Sequence, residues 1–301
     1  MAGATGERWA GRVPEGYKPD LAIICGYGSL PLEIAYGAVE AGRNPYMIGI
    51  AGEAERPIRA FPGETLSWGQ LGRLFALLRE LGIGEAVLAG GIRKRPEISE
   101  MKLDWGGVKA LPQVLIFMMG GDNTVLSGTI KLFEKHGVRV VGAHQIAPGL
   151  LAQAGAMVGR KPGAKDFLNI RLAFSACKAL GDLDIGQAAI AEGGRVVAVE
   201  GAEGTDEMLA RVVRMRKIGR MPVEGKNGVL VKTMKPGQDV RADLPAIGPR
   251  TVAAVAKAGL RGIALEAGHS IILDRDKTLD AARAAGIYLY GVEAKELGDD
   301  G

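Results

Sequence analysis

Leu21 to Cys25 is an unbroken apolar run that stops at Gly26-Tyr27-Gly28-Ser29-Leu30-Pro31, after which Leu32, Ile34, Ala35 and Val39 recur at helical spacing. A buried strand, a glycine turn and a helix, in that order, constrain the chain more than any other feature. A helix leaving one strand brings the chain back to pair the next strand in parallel. The pattern then repeats. Pro45 to Ile50 reads as a second buried strand with its proline at the start, Leu71 to Leu81 as a helix, and Ala86 to Gly91 as a third strand closing on glycines. A helix over Asn123 to His136 and a strand over Val138 to Gly142 complete a Rossmann-like first domain, expected over 21–150, whose ligands would lie off the carboxyl ends of its strands.

The second half has a different grain. Gly186 to Glu192 and Arg195 to Gly201 are joined by Gly193-Gly194, which favours a β-hairpin. Strands over Val229 to Thr233, Gly262 to Leu265, Ser270 to Leu273 and Ile287 to Gly291 alternate with helices over Asp206 to Met215, Pro249 to Ala258 and Asp276 to Ala285. The expectation is a second α/β domain over 166–301, mixed because of the hairpin, after a Gly- and Pro-rich linker at 151–165. Met1 to Asp20 lacks an apolar period and is expected to be a flexible leader.

Composition narrows the function classes. Glycine supplies 46 of 301 residues, about twice the usual share, which implies many tight turns and close backbone approaches. A net charge of +4 is too mild for a chain held to nucleic acid by its overall field. Cys25 and Cys177 lie far apart without a C-x-x-C companion, which suits small core residues in a reducing cytosol. No window approaches the roughly 18 apolar residues that span a bilayer, and the N-terminus lacks a signal-peptide core.

Several sites carry chemistry. Gly26-x-Gly28-x-x-Pro31 matches the first two glycines of a dinucleotide fingerprint, but proline replaces the third and Glu53 is only a loose ribose acid. Phosphate or nucleotide contact is expected there rather than nicotinamide or flavin. Gly120-Gly121-Asp122-Asn123 opens a helix, where the acid could cap it or face a ligand. His144 follows the last strand of the first domain, and Arg93-Lys94-Arg95 forms a basic cluster after the third. From Arg211 to Lys235 there are eight basic residues and one acid, a field that favours an anionic ligand or lipid surface.

The next segment, Lys235-Pro236-Gly237-Gln238-Asp239-Val240-Arg241-Ala242-Asp243, is more specific. In an extended chain Asp239, Arg241 and Asp243 project to one side, a set suited to a phosphate ester and a divalent cation. The bland alternative is a solvated edge strand of alternating charge.

The glycine turn with Leu30-Pro31, Leu88 to Arg93, Gly121-Asp122, Val140 to His144, Asp184 to Gln187, Val199-Glu200 with Glu203 to Asp206, Lys232 to Gly248 and Glu266-Ala267-Gly268 together resemble the two-domain UDP-2,3-diacylglucosamine pyrophosphatases of the lipid A pathway. The resemblance covers about Leu21 to Val292. It implies a Mg²⁺-dependent hydrolase, with Mn²⁺ as a substitute ion, that yields UMP and 2,3-diacylglucosamine 1-phosphate by attack of water on the α-phosphorus. It implies a cytoplasmic protein, peripheral at the inner membrane where its diacylated nucleotide sugar resides, with a homodimer compatible and no nucleic acid partner. Asp243 matches the family's essential aspartate, with Asp239 and Arg241 beside it; Asp239, Glu203 and Asp206 are further metal candidates. Substrate-side positions would be Gly26, Gly28, Ser29, Arg93, Asp122, His144, Gln187, Thr205, Lys235, Gln238 and Glu266. Ala246 stands where the family commonly has threonine, which removes one hydroxyl. Leu115 to Met119 offers apolar surface for acyl chains, or a buried helix.

Overall fold

The computed structural model describes residues 16–93, 102–108, 122–221, 227–241 and 244–298. Asp243, Lys94-Arg95, Leu115 to Met119 and most of the expected leader lie outside the described residues. The chain divides into two compact units, Met1–Gly149 with Asp239–Asp243, and Leu150–Gln238 with Leu244–Gly301.

In the first unit, β1 (Leu21–Cys25), β2 (Pro45–Ile50), β3 (Gly63–Leu66), β4 (Glu85–Ala89) and β5 (Arg139–Val140) form a parallel sheet in the order β3-β2-β1-β4-β5. The strand order reverses between β1 and β4, the topological switch point where open α/β sheets bind ligands. Helices α1 (Leu30–Glu40), α2 (Leu71–Glu80), α3 (Asp122–Lys135) and the single turn α4 (Ala143–Ile146) complete the unit. α1 buries Pro31, Ile34, Ala35 and Ala38, a one-sided stripe at helical spacing, with proline in the first turn where its missing N–H costs nothing.

Local differences from the expected boundaries have physical causes. β3 is a short edge strand of sequence Gly-Glu-Thr-Leu, too polar to show a period. β4 stops at Ala89 because Gly90 turns into the left-handed region at φ +87°. β5 keeps two residues because Gly142 caps α4, donating its N–H to the Gln145 side chain at 2.9 Å. Before β1, the Tyr17 hydroxyl donates to the Pro45 carbonyl at 2.6 Å and Asp20 accepts the Asn44 N–H at 2.7 Å, so the end of the expected leader is tied to the sheet.

The second unit holds a six-stranded mixed sheet in the order β6-β13-β11-β9-β7-β8. Its strands are β6 (Gly155–Val158), β7 (Ala188–Glu192), β8 (Arg195–Val199), β9 (Val229–Lys232), β11 (Gly262–Glu266) and β13 (Tyr288–Val292). β9, β11 and β13 are parallel, whereas β6 and β7 run against their neighbours. The β7–β8 hairpin turns on Gly193 and Gly194, both at positive φ, as a two-residue primed turn requires. β10 (Ala246–Ile247) and β12 (Ile271–Ile272) pair only with each other, so the strand expected over 270–273 stands outside the main sheet.

The helices are α5 (Ala164–Asp182), α6 (Gly204–Lys217), α7 (Pro249–Lys257) and α8 (Arg275–Ala285). β6 forms inside the stretch expected as a linker, and α5 starts there. α5 buries Ile170, Ala173, Phe174 and Cys177 on one stripe, a helical spacing that the sequence does carry. Its apolar face covers one side of the sheet, and α6, α7 and α8 supply the core on the other. No helix among the described residues is long and apolar enough to cross a membrane.

Candidate functional site

At the switch point of the first unit, the two glycine loops close on each other. Gly26 donates its N–H to Ala89 O at 2.8 Å, while Tyr27 and Gly91 exchange backbone hydrogen bonds at 2.7 and 2.9 Å. A side chain on Gly26 would run into the Gly91 carbonyl, so this crossing accepts only glycine there. The Gly26 N–H is therefore spent on the protein. Two residues later stand Gly28, with φ +101°, and Ser29, which leads into the N-terminus of α1. The Ser29 hydroxyl is turned to Glu33 at 2.8 Å.

Arg93 stands at the same edge. Its guanidinium lies 3.8 Å from the centroid of the Tyr27 ring, and its N–H donates to buried Glu53 at 3.0 Å. Glu53 thus holds the Arg93 backbone. Asp122 begins α3, and His144 lies in α4, where its ring and the Arg241 backbone both crowd the space beside Gly142.

Asp239 to Arg241 is a turn, not the extended segment that the alternation suggests. Asp239 Oδ1 accepts the Arg241 N–H at 2.9 Å, an Asx-type closure that folds the segment on itself. The Arg241 guanidinium returns to Asp239 at 2.7 Å and reaches Glu134 on α3 at 2.9 Å. The Arg241 guanidinium, and to a lesser degree its N–H, holds the Asp239 carboxyl below the usual carboxylate range.

The second unit gathers its polar groups at the carboxyl ends of β9 and β11. Lys232, 6% exposed, donates to the Thr205 hydroxyl at 3.0 Å and to Ala246 O at 3.2 Å. The Thr205 hydroxyl in turn donates to Glu200 Oε1 at 2.5 Å, and Glu200 Oε2 accepts the Gln187 N–H at 2.9 Å. Lys178 donates to both oxygens of Glu266 at 2.9 Å, and the Met234 N–H donates to Glu266 at 2.8 Å. Lys235 meets Asp184 at 2.7 Å, while Gln238 Oε1 accepts the Lys235 N–H at 3.2 Å. Asp184 holds a left-handed φ of 54°, a conformation that aspartate tolerates better than most residues.

Three cations are thus held by side chains, with two hydrogen bonds left unmade among them. Gln187 Oε1 is shut from water without a donor, and the equally buried Thr233 hydroxyl lies against the Cys177 thiol, a weak partner at best. Burying an unmade hydrogen bond costs about 1–3 kcal/mol, so such a group is an exception that the fold carries at a cost.

Gln187, Thr205, Lys235, Gln238 and Glu266 are brought together here. Lys178, inside α5, is the member that sequence reading did not single out; Asp184, Glu200 and Lys232 stood within the quoted motifs without an assigned role. Glu203 and Asp206 are not gathered with one another. Glu203 pairs with Arg211 at 3.2 Å and Asp206 with Arg250 at 3.0 Å. Among the described residues no group of three or more His, Cys, Asp or Glu could hold a metal ion. The basic run after Arg211 is not one field either: Arg216 is buried against Glu192 at 2.5 Å, and Lys232 and Lys235 belong to the network above.

Fold and site together define an α/β protein of two units, with polar groups concentrated at the carboxyl edge of each parallel set of strands. The chain belongs to the LpxI family: residues 20–150 match the LpxI N-terminal domain and residues 153–290 the LpxI C-terminal domain. The UDP-2,3-diacylglucosamine pyrophosphatase LpxI of Caulobacter vibrioides is 35% identical over 276 residues, which span 92% of this chain and 98% of that relative.

Proposed function

We propose that this chain hydrolyses UDP-2,3-diacylglucosamine to UMP and 2,3-diacylglucosamine 1-phosphate, a step of lipid A biosynthesis, by attack of water on the α-phosphorus. The observation that carries the reading is the similarity to the Caulobacter vibrioides pyrophosphatase across nearly its whole length. The buried Lys232, backed through Thr205 by Glu200, supports it: an ammonium already desolvated and oriented neutralises charge growing on a diphosphate without reorganising. Lys235 and Lys178 stand at the same edge, each already paired with a carboxylate, Asp184 and Glu266. Asp243 is assigned the positioning of the attacking water.

Mg²⁺, with Mn²⁺ as a substitute, is part of the proposal. The described carboxylates do not fit a cation cradle, since Glu203, Asp206 and Asp239 each face an arginine. The contribution derived from this chain's own groups is therefore charge neutralisation and orientation. A diacylated substrate places the protein at the cytoplasmic face of the inner membrane, bound peripherally, and a homodimer is the proposed assembly.

The test is incubation of the purified chain with UDP-2,3-diacylglucosamine and Mg²⁺ in ¹⁸O-water. UMP carrying the label is expected. Label in the lipid product would overturn attack at the α-phosphorus, and absence of turnover by folded protein would overturn the assignment. Loss of activity with EDTA, restored by Mg²⁺, checks the ion.

A further inference from the structure

We propose that the outer face of α5 is the contact surface between two copies of this chain, paired antiparallel about a two-fold axis at Ser175 and Ala176. The inference rests on the homodimer of the proposed function and names its interface.

One side of α5 is spent on the core of its own unit, where Ile170, Ala173, Phe174 and Cys177 are buried. The opposite side is apolar as well. Leu168, Leu172, Ser175, Ala179 and Leu183 recur at spacings of four, three, four and four residues, which sets them within about a quarter turn of the helix. Leu168 is 51% exposed and Leu183, just past the helix end, 72%. Ser175 and Ala179 are exposed, and Leu172 is half-buried. Asp166 is buried and Lys178 is turned to Glu266, so only Lys165, Arg171 and Asp182 charge the outer face. A helix that is apolar on both sides is one that a further surface covers.

The order of residues on this face fits a second copy. Laid antiparallel, it sets Leu168 against the partner's Leu183, Leu172 against the partner's Ala179 and Ser175 against the partner's Ala176, each contact made twice, as a two-fold interface requires. Leucines meet at the two ends, and the small side chains between them let the helix axes approach to about 8–10 Å. Charge agrees with the same register. Arg171 and Asp182 are exposed on one flank of the face, and antiparallel pairing brings Arg171 beside the partner's Asp182. Among the described residues neither is held in an ion pair. Within one copy they are separated by about 16 Å along the helix, too far to pair with each other. A lipid surface would ask for no such symmetry.

Sedimentation velocity of the full chain across a wide range of concentration tests the pairing, with a thermal melt on each variant to show that it is folded. The parent is expected to dimerise, and Leu168→Glu and Leu183→Glu each to raise the dissociation constant about tenfold or more. Arg171→Glu sets like charges together and should weaken the dimer severalfold. Adding Asp182→Arg reverses the second sign and should restore it, a coupling that one copy of the helix cannot supply. Ser175→Cys, beside the axis, should cross-link two copies on mild oxidation, because the native Cys25 and Cys177 are buried. A dimer unchanged by both leucine variants, or no recovery with both charges reversed, would overturn this interface and leave the homodimer standing. A parent that stays monomeric would overturn both, and its sedimentation with anionic vesicles, lost in the leucine variants, would give the face to a lipid surface. None of these readouts depends on turnover of the nucleotide sugar.

Discussion

Arg241 donates through Nη1 to Glu134 at 2.9 Å, across 107 residues of sequence, while the rest of its guanidinium closes on Asp239. The segment leading to Asp243 is thereby tied to α3 of the first unit. Arg241 thus has its charge met by two carboxylates, which makes it an anchor of the turn. Glu134→Ala is expected to keep the fold, because a partly exposed ion pair contributes about 1 kcal/mol or less. If the anchor positions Asp243, kcat falls about tenfold with KM little changed, since misplacing a reacting group raises the barrier more than it weakens binding. Steady-state kinetics on the variant, with a thermal melt beside it, checks both parts.

The same turn sets a pH dependence. Because Arg241 depresses the Asp239 carboxyl in the folded state, the stabilisation from that carboxylate is complete above its unfolded value of about 3.9 and is lost as pH falls through the lower folded value. Asp239→Asn is expected to be less stable than the parent at pH 7, with the gap closing below about pH 4. Urea unfolding of both proteins at pH 7 and pH 3 measures it; a gap undiminished at pH 3 would mean that the charge is not what stabilises the turn.

Lys232 and Glu200 are coupled through one hydroxyl. Lys232→Met leaves Glu200 buried and short of its counter-charge, at a cost of about 3–5 kcal/mol. Adding Glu200→Gln removes the stranded charge, so the double variant should recover much of that stability while turnover stays lost. A double-mutant cycle on the urea midpoints gives the coupling. Recovery of activity in the double variant would remove Lys232 from the reaction.

Arg216 and Glu192 provide the contrast of a buried ion pair with a structural role. Arg216 also donates to the Ala258 carbonyl at 2.7 Å, joining α6 to the end of α7 and to β7. Arg216→Ala is expected to cost about 3–5 kcal/mol, because Glu192 would remain buried and unpaired. Chemical denaturation should show the whole loss, while kcat of the protein that remains folded is unchanged.

Much of the architecture is legible without tertiary information. The apolar run at Leu21 to Cys25, the proline-started helix after it and the Gly193-Gly194 hairpin are local consequences of side-chain period and backbone freedom, which act over a few neighbouring residues. Gln187, Thr205, Lys235, Gln238 and Glu266 were visible only through the family resemblance, which local period does not supply. β3 and β6 were not, because edge strands of four residues are too short for a period to emerge.

Sequence by itself determined the alternation of elements, the glycine crossings and the family. The partners of the charged groups were decided only by the tertiary structure. The eight basic residues from Arg211 to Lys235 read as one field along the chain, yet folding buries Arg216 against Glu192, sends Lys232 to Thr205 and gives Lys235 to Asp184. The reason is range. Hydrophobic period is written between near neighbours, whereas the balance of desolvation against an ion pair depends on which distant residue the sheet register sets opposite each charge.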